Sequence, residues 1–312
     1  TMNTSSAQAA QTIKENNMKQ NTQDGLLHLS LMGGQARALL IDSTQMCEAA
    51  RQTHNLSRVA TAALGRLLTV SCMMGVMLKG EQDSITAIVK GDGPLGTLMA
   101  VSKPDGSVKG YVDHPEVDIP RRPDGKLAVG DAVGHHGEIT VIRDMGFGEP
   151  YIGKTHLVTG EIAEDFAMYF TASEQTPSLV SLGVLTNDEV LSAGGLIVQM
   201  MPGADEAAIQ SVEQSVDMFR DISGTIEEYR LEGSVMQLLG HLEPEIIGRV
   251  TPAYRCDCSR ERIERALISM GAEELNEMIE QQHGAEVGCH FCNRKWAFSE
   301  DQLRALLEAA RS

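Results

Sequence analysis

The chain has 312 residues, enough for about two domains at ~100–200 residues each, and its 42% apolar content fits a globular protein that buries a core. Its net charge of −17 argues against nucleic acid, whose phosphates call for a surplus of Lys and Arg, and against anionic membrane surfaces.

Residues 1–23 are rich in Ser, Thr, Gln and Asn, with no apolar stretch of the kind a secretory signal needs. They read as a polar, disordered extension. From Leu26, "LLHLSLMGGQARALLIDS" predicts two strands joined at Gly33-Gly34. Two helices are expected next, "TQMCEAARQTH" and a second opening on Ser57 as N-cap. Within that second helix only twelve uncharged residues separate Arg66 from Lys79. That is short of the ~20 a bilayer needs, so it reads as a buried helix. A cytoplasmic location follows, and there clustered cysteines serve metal or redox chemistry more often than structural disulfides. "SITAIVK", "GTLMAVS" and "SVKGYV" predict strands linked by "GDGPLG" and "KPDG". "EITVIRDMG" and "KTHLVTGEIAEDFAMYF" add strands and a helix, and "GGLIVQMMPGA" reads as a buried strand ending in a turn. Ala204–Arg255 then carries ten acidic residues, four arginines and no lysine. With Ile209, Val212, Val216 and Phe219 at helical spacing, it reads as a thinly cored helical connector.

Several motifs have plain explanations. Gly91, Gly93 and Gly96 form a GxGxxG, but a strand pattern follows instead of the helix that would aim N–H groups at a pyrophosphate. His135 and His136 lack neighbours that would give them a catalytic or metal role. Cys47 and Cys72 lie in apolar helical patterns, where a thiol acts as a small hydrophobe. The 16 methionines sit mostly in core-like runs, although Met-rich surfaces also suit promiscuous binding.

The remaining four cysteines fall in two knots, Cys256 and Cys258 in "CDC" and Cys289 and Cys292 in "CHFC". Two close pairs separated by a loop of about thirty residues match a four-thiolate zinc site, since each turn supplies two ligands to one tetrahedron. Between the knots Ser259 should cap "RERIERALISM", with Gly271 ending it. Leu275, Met278 and Ile279 mark a second helix, "RKWAF" a strand, and Ser299 with Gln302 a capping box. So small a module calls for a metal. His283 and His290 are the alternative ligands, and an iron–sulfur cluster would accept the same thiolates. Residues 256–312 hold eleven acidic and seven basic side chains, which weighs against a nucleic-acid zinc ribbon. A thioredoxin-like enzyme is disfavoured because "CHFC" precedes a strand, not a helix. The spacing within each knot also lets it close into a local disulfide on oxidation.

At "CDCSRERIERAL…EVGCHFCNRKWAF" the chain resembles the 33 kDa chaperonin family, the redox-regulated heat-shock holdases. The resemblance extends upstream through "GDGPLGTLMAVSKPDGSVKGYV" and "GGLIVQMMPGA", and the mass of 33.7 kDa agrees. It implies an α+β protein with an N-terminal mixed helix/sheet domain over 24–203, a metastable helical linker over 204–255 and a small zinc module over 256–312. It implies one zinc per chain on Cys256, Cys258, Cys289 and Cys292 in an inactive reduced form. Activation would follow on zinc release and formation of Cys256–Cys258 and Cys289–Cys292. The implied activity is ATP-independent binding of unfolded client proteins, with no catalysis, by a protein that dimerises when activated. A thiol-disulfide oxidoreductase, or a binding protein with a purely structural zinc, are the alternatives.

Overall fold

Apolar residues recur along Leu26–Leu31, and Gly33 and Gly34 take positive φ (64° and 96°) where the chain reverses. The computed structural model describes residues 23–311. In it these stretches form β1 (Gly25–Leu31) and β2 (Ala36–Asp42), paired antiparallel from Gly25↔Asp42 to Leu31↔Ala36. The polar extension expected at the N-terminus lies, but for its last residue, outside the described residues. Helices α1 (Thr44–His54) and α2 (Arg58–Val76) follow as predicted. The Ser57 hydroxyl accepts the Ala60 N–H at 3.1 Å to start α2. By length and composition α2 could cross a bilayer, but 94% of its apolar window is buried inside the protein. It is apolar nearly all round because it is packed nearly all round.

Two sheets surround it. One has the order β10-β1-β2-β9-β8, with β8 (Ser178–Thr186), β9 (Val190–Met200) and β10 (Glu245–Val250). The other runs β11-β5-β4-β3-β6-β7, from β3 (Ser84–Gly91), β4 (Thr97–Ser102), β5 (Ser107–Val112), β6 (Gly137–Asp144), β7 (Tyr151–His156) and β11 (Ala253–Tyr254). Helix α3 (Val129–Val133) and helix α4 (Ala163–Ala172) complete this part, α4 contributing buried Phe166 and Tyr169. Strand β8 has no counterpart among the predicted elements. "GDGPLG" is the loop between β3 and β4, and a Cβ on Gly91 or Gly93 would lie 2.0 Å or 2.4 Å from a carbonyl oxygen of Val133 or Ala132. Those glycines permit close backbone approach.

Apolar side chains form three clusters. The first centres on α2 between the sheets. The second covers the opposite face of the first sheet, where Leu27, Leu40 and Leu196 meet Phe219, Ile226, Val235 and Leu239. That explains the continuous apolar stretches Ala38–Ile41 in β2 and Leu196–Val198 in β9: both faces are buried there. It also changes the picture of residues 204–255. The helix expected over 209–219 stops early, with α5 at Glu206–Gln214 followed by a 3₁₀ turn at Val216–Phe219. Ser215 turns its hydroxyl back onto the Ser211 carbonyl at 2.7 Å, competing with the helical ladder. The sparse apolar residues of α6 (Ile222–Leu239) then concentrate on one face and dock, although Arg230 interrupts the helix at φ 59°. The third cluster is confined to the C-terminal module. Leu267, Leu275, Ile279, Phe298, Leu303 and Leu307 are buried there among α7 (Arg260–Met270), α8 (Ala272–Gln282), α9 (Glu300–Arg311) and the hairpin β12 (Gly284–Gly288) and β13 (Lys295–Ser299). The fold is thus α+β, with a mixed body and a small cysteine-bearing C-terminal module.

Candidate metal centre

The first knot sits between β11 and α7. Tyr254 ends the strand, and Ser259 starts the helix by accepting the Arg262 N–H at 3.3 Å. Cys256 and Cys258 are therefore held between two fixed points. The second knot is the turn of the β12–β13 hairpin. The N–H groups of Cys292 and Asn293 reach the Cys289 carbonyl at 3.3 Å and 2.8 Å, and the Cys289 N–H reaches the Arg294 carbonyl at 2.9 Å. Both cysteines of this turn project toward the first knot.

The four sulfurs converge. Cys256 Sγ lies 3.7 Å from Cys289 Sγ, Cys258 Sγ lies 3.3 Å from Cys292 Sγ, and all four fall within 4.8 Å of one another. A tetrahedral ion with metal–sulfur bonds of ~2.3 Å separates its sulfurs by about 3.8 Å. The donor set therefore fits a closed four-thiolate metal site, and the four are the only such group among the described residues. His283 pairs instead with Glu300 at 3.4 Å, and His290 lies against the Tyr111 ring at 5.7 Å. All six cysteines are free thiols.

Burial raises the pKa of Cys256, and it raises that of Cys258 further together with the neighbouring sulfurs. Cys292 is burdened by the same burial, yet the Arg294 N–H and the adjacent thiols bring it below the usual value. Four thiols this close cannot all ionise unaided. A bound cation would supply that charge, and its binding would release protons. The other two cysteines differ. Cys47 is fully buried, which pushes its thiol up to about 12, and burial raises Cys72 as well. Neither is a reactive thiolate. The His135 ring bonds to Asp131 at 3.1 Å and to the Thr159 carbonyl at 3.0 Å.

Residues inside and beside the knots tie the centre to the body, and sequence analysis singled out none of them. Burial would raise the Asp257 pKa, but Lys109 and Lys103 (2.9 Å), with Arg262 (2.6 Å), hold it far below the carboxylate range. The Tyr254 hydroxyl lies 2.7 Å from the Gly110 carbonyl, 2.6 Å from that of Phe291 and 2.8 Å from His54 Nε2. Asn293 donates to the Thr53 carbonyl at 2.7 Å. Phe291 packs edge-on against Tyr111 at 5.4 Å. The one available signal was position: Asp257 and Phe291 lie between cysteines, and Asn293 follows one.

An α+β body carrying a four-thiol centre on a small C-terminal module defines the class of protein, and comparison with known proteins sharpens it. The family model described as Hsp33 protein matches residues 24–299. The chain is 45% identical to the 33 kDa chaperonin of Clostridioides difficile, over 91% of this chain and 99% of that one. It is 42% identical to the 33 kDa chaperonin of a Thermoanaerobacter species, over 92% and 99%. The crystal structure of the 33 kDa chaperonin (heat shock protein 33 homolog) from Thermotoga maritima superposes with a TM-score of 0.83 at 32% identity, covering 93% of this chain and 99% of that one. The chain belongs to the Hsp33 family of heat-shock chaperones.

Proposed function

We propose that this protein is a redox-regulated, ATP-independent holdase of the cytoplasm that captures unfolding proteins and prevents their aggregation, without catalytic turnover. The observation that carries the reading is a four-thiol centre wired to the body through the residues that flank its own sulfurs. In this reading Cys256, Cys258, Cys289 and Cys292 hold one zinc ion per chain. When bound, zinc would keep all four sulfurs ionised and cross-link the two knots. The working division of the chain is a chaperone domain over 24–203, a linker over 204–255 and a redox-switch module over 256–312.

Oxidation by one peroxide per knot would take two electrons from its two thiolates, forming Cys256–Cys258 and Cys289–Cys292, while each peroxide takes up two protons from solvent and is reduced to water. In the reduced protein the sulfurs also meet between knots, Cys256 with Cys289 and Cys258 with Cys292. Pairing within each knot rests on tethering: once the cation no longer gathers the sulfurs, each cysteine keeps only its chain neighbour close. A disulfide sulfur is a poor ligand, and a cross-link across so short a loop restores little of the lost constraint. The module then loses its fold, Tyr254, Asp257, Phe291 and Asn293 release the body, and residues 204–255 loosen from the first sheet. The apolar surface uncovered there would bind clients, and the activated form would dimerise.

Light scattering of a thermally unfolding client, with reduced and with peroxide-treated protein, tests this. Suppression near stoichiometry by the oxidised form alone is expected. Equal suppression by both forms, or catalytic insulin reduction at thioredoxin-like rates, would refute it.

A further inference from the structure

The second sheet is covered on one face only. Burial alternates along β3 and β4, and the buried face packs on α2. The register places Tyr111, Met99 and Ile88 side by side on the opposite face, with Val101, Ile142 and Ile152 in the adjacent row. None of these six belongs to any of the three apolar clusters, and Ile152 is 54% exposed. Lys109 and Lys154 fall in the same rows, Lys154 paired with Glu138 at 2.9 Å and Lys90 beside them, so lysines outnumber carboxylates among the apolar side chains of this face.

One edge of the face is already occupied. Phe291 rests on Tyr111, the Lys109 ammonium stands 5.0 Å from the Phe291 ring centre, and Asp257 pairs with Lys103 and Lys109. A cavity of about 150 Å³ remains beside that contact, lined by Val101, Lys103, Lys109 and Asp257. The metal knot thus presents an aromatic ring next to a carboxylate, and the face receives both.

The geometry points to the open face of the second sheet as a platform for extended polypeptide segments that carry aromatic or aliphatic side chains beside carboxylates. Phe291 and Asp257 act as its built-in occupant. Same-side residues of an extended strand recur every ~7 Å, so a chain lying on the face meets successive apolar positions. Lysines between them favour acidic segments over basic ones. Release of the module would free the Tyr111 edge and lengthen the platform. This inference rests on the holdase reading for its client, but it can be tested without oxidation.

The probe is reduced, carboxymethylated α-lactalbumin, an acidic chain that stays unfolded. The reduced, metal-loaded Phe291→Ala protein should bind it at least threefold more tightly than the parent. A benzoylphenylalanine in place of Ile88 should cross-link to it. Adding Ile88→Glu should weaken binding at least tenfold, with metal content and hydrogen-exchange protection of residues 24–203 unchanged. Met99→Glu serves the same purpose should Ile88→Glu fail to accumulate. Undiminished binding by the glutamate variants, or cross-links only from a probe in place of Met236, would overturn the proposal. Should oxidised parent protein fail to hold clients while Phe291→Ala binds the probe, the redox reading falls and the platform stands.

Discussion

The body and the C-terminal module reach their folds by different means. Around α2, dozens of buried apolar side chains form one continuous cluster, and a second cluster backs the first sheet. The module buries only Leu267, Leu275, Ile279, Phe298, Leu303 and Leu307 fully, beneath helices whose outer faces are charged. A core that small is marginal, whereas a whole domain is typically stable by ~5–15 kcal/mol. The lesson is a division of labour: packing holds the body, whereas in the proposed reading a metal on the four sulfurs would hold the module. A unit whose stability sits in oxidisable ligands can be lost chemically while its neighbour persists.

Removing the metal is the largest perturbation of this contrast. Structural zinc contributes ~10–16 kcal/mol of apparent binding free energy in small modules, as much as a whole domain's typical net stability of ~5–15 kcal/mol. Chelation under reducing conditions should therefore abolish hydrogen-exchange protection from 256 onward and leave α2 and β3–β6 protected. A module that stays protected without metal would erase the contrast.

Phe166→Ala tests the other side. It empties a fully buried site and should cost ~3–5 kcal/mol, seen as a lower denaturation midpoint of the body with unchanged metal content.

Acidity should separate the two regions again. Burial pushes the Asp24 carboxyl up to about 7, against the N–H groups of Gln45 and Met46 that it caps at 2.8 Å and 2.7 Å. The folded chain then holds this proton more tightly than the unfolded one, so stability from this group is full at low pH. It falls as pH rises from about 4 to about 7 and is flat above, an effect of at most ~4 kcal/mol. Denaturation of the body followed against pH should show that slope, and Asp24→Asn should flatten it.

The smallest expected effect is capping. Ser259→Ala removes the acceptor for the Arg262 N–H and should cost ~0.5–2 kcal/mol. Because that loss falls on the module, it should appear as weaker metal retention against a chelator, whereas Ser57→Ala should leave retention unchanged.

Local rules made much of this legible before any fold was known. Ser57 and Ser259 accept the N–H groups expected of them. Ser299 and Gln302 close a reciprocal capping box, the Ser299 N–H reaching Gln302 Oε1 at 3.0 Å and the Gln302 N–H reaching Ser299 Oγ at 3.4 Å. Gly271 ends α7 at φ 105°. The four clustered cysteines stand together because two short turns impose ligand spacing on whatever fold brings them face to face. Such features depend on a few neighbouring residues, and the sequence states them outright. What only the tertiary structure decided depends on partners far along the chain. Sparse apolar residues over 204–255 find one face and dock on the first sheet, Asp24 is buried beneath the start of α1, and Tyr254, Asp257, Phe291 and Asn293 join the centre to the body. No local pattern encodes those contacts, because a side chain's partner across the fold is set by how the sheets and helices pack, not by what lies next to it in sequence.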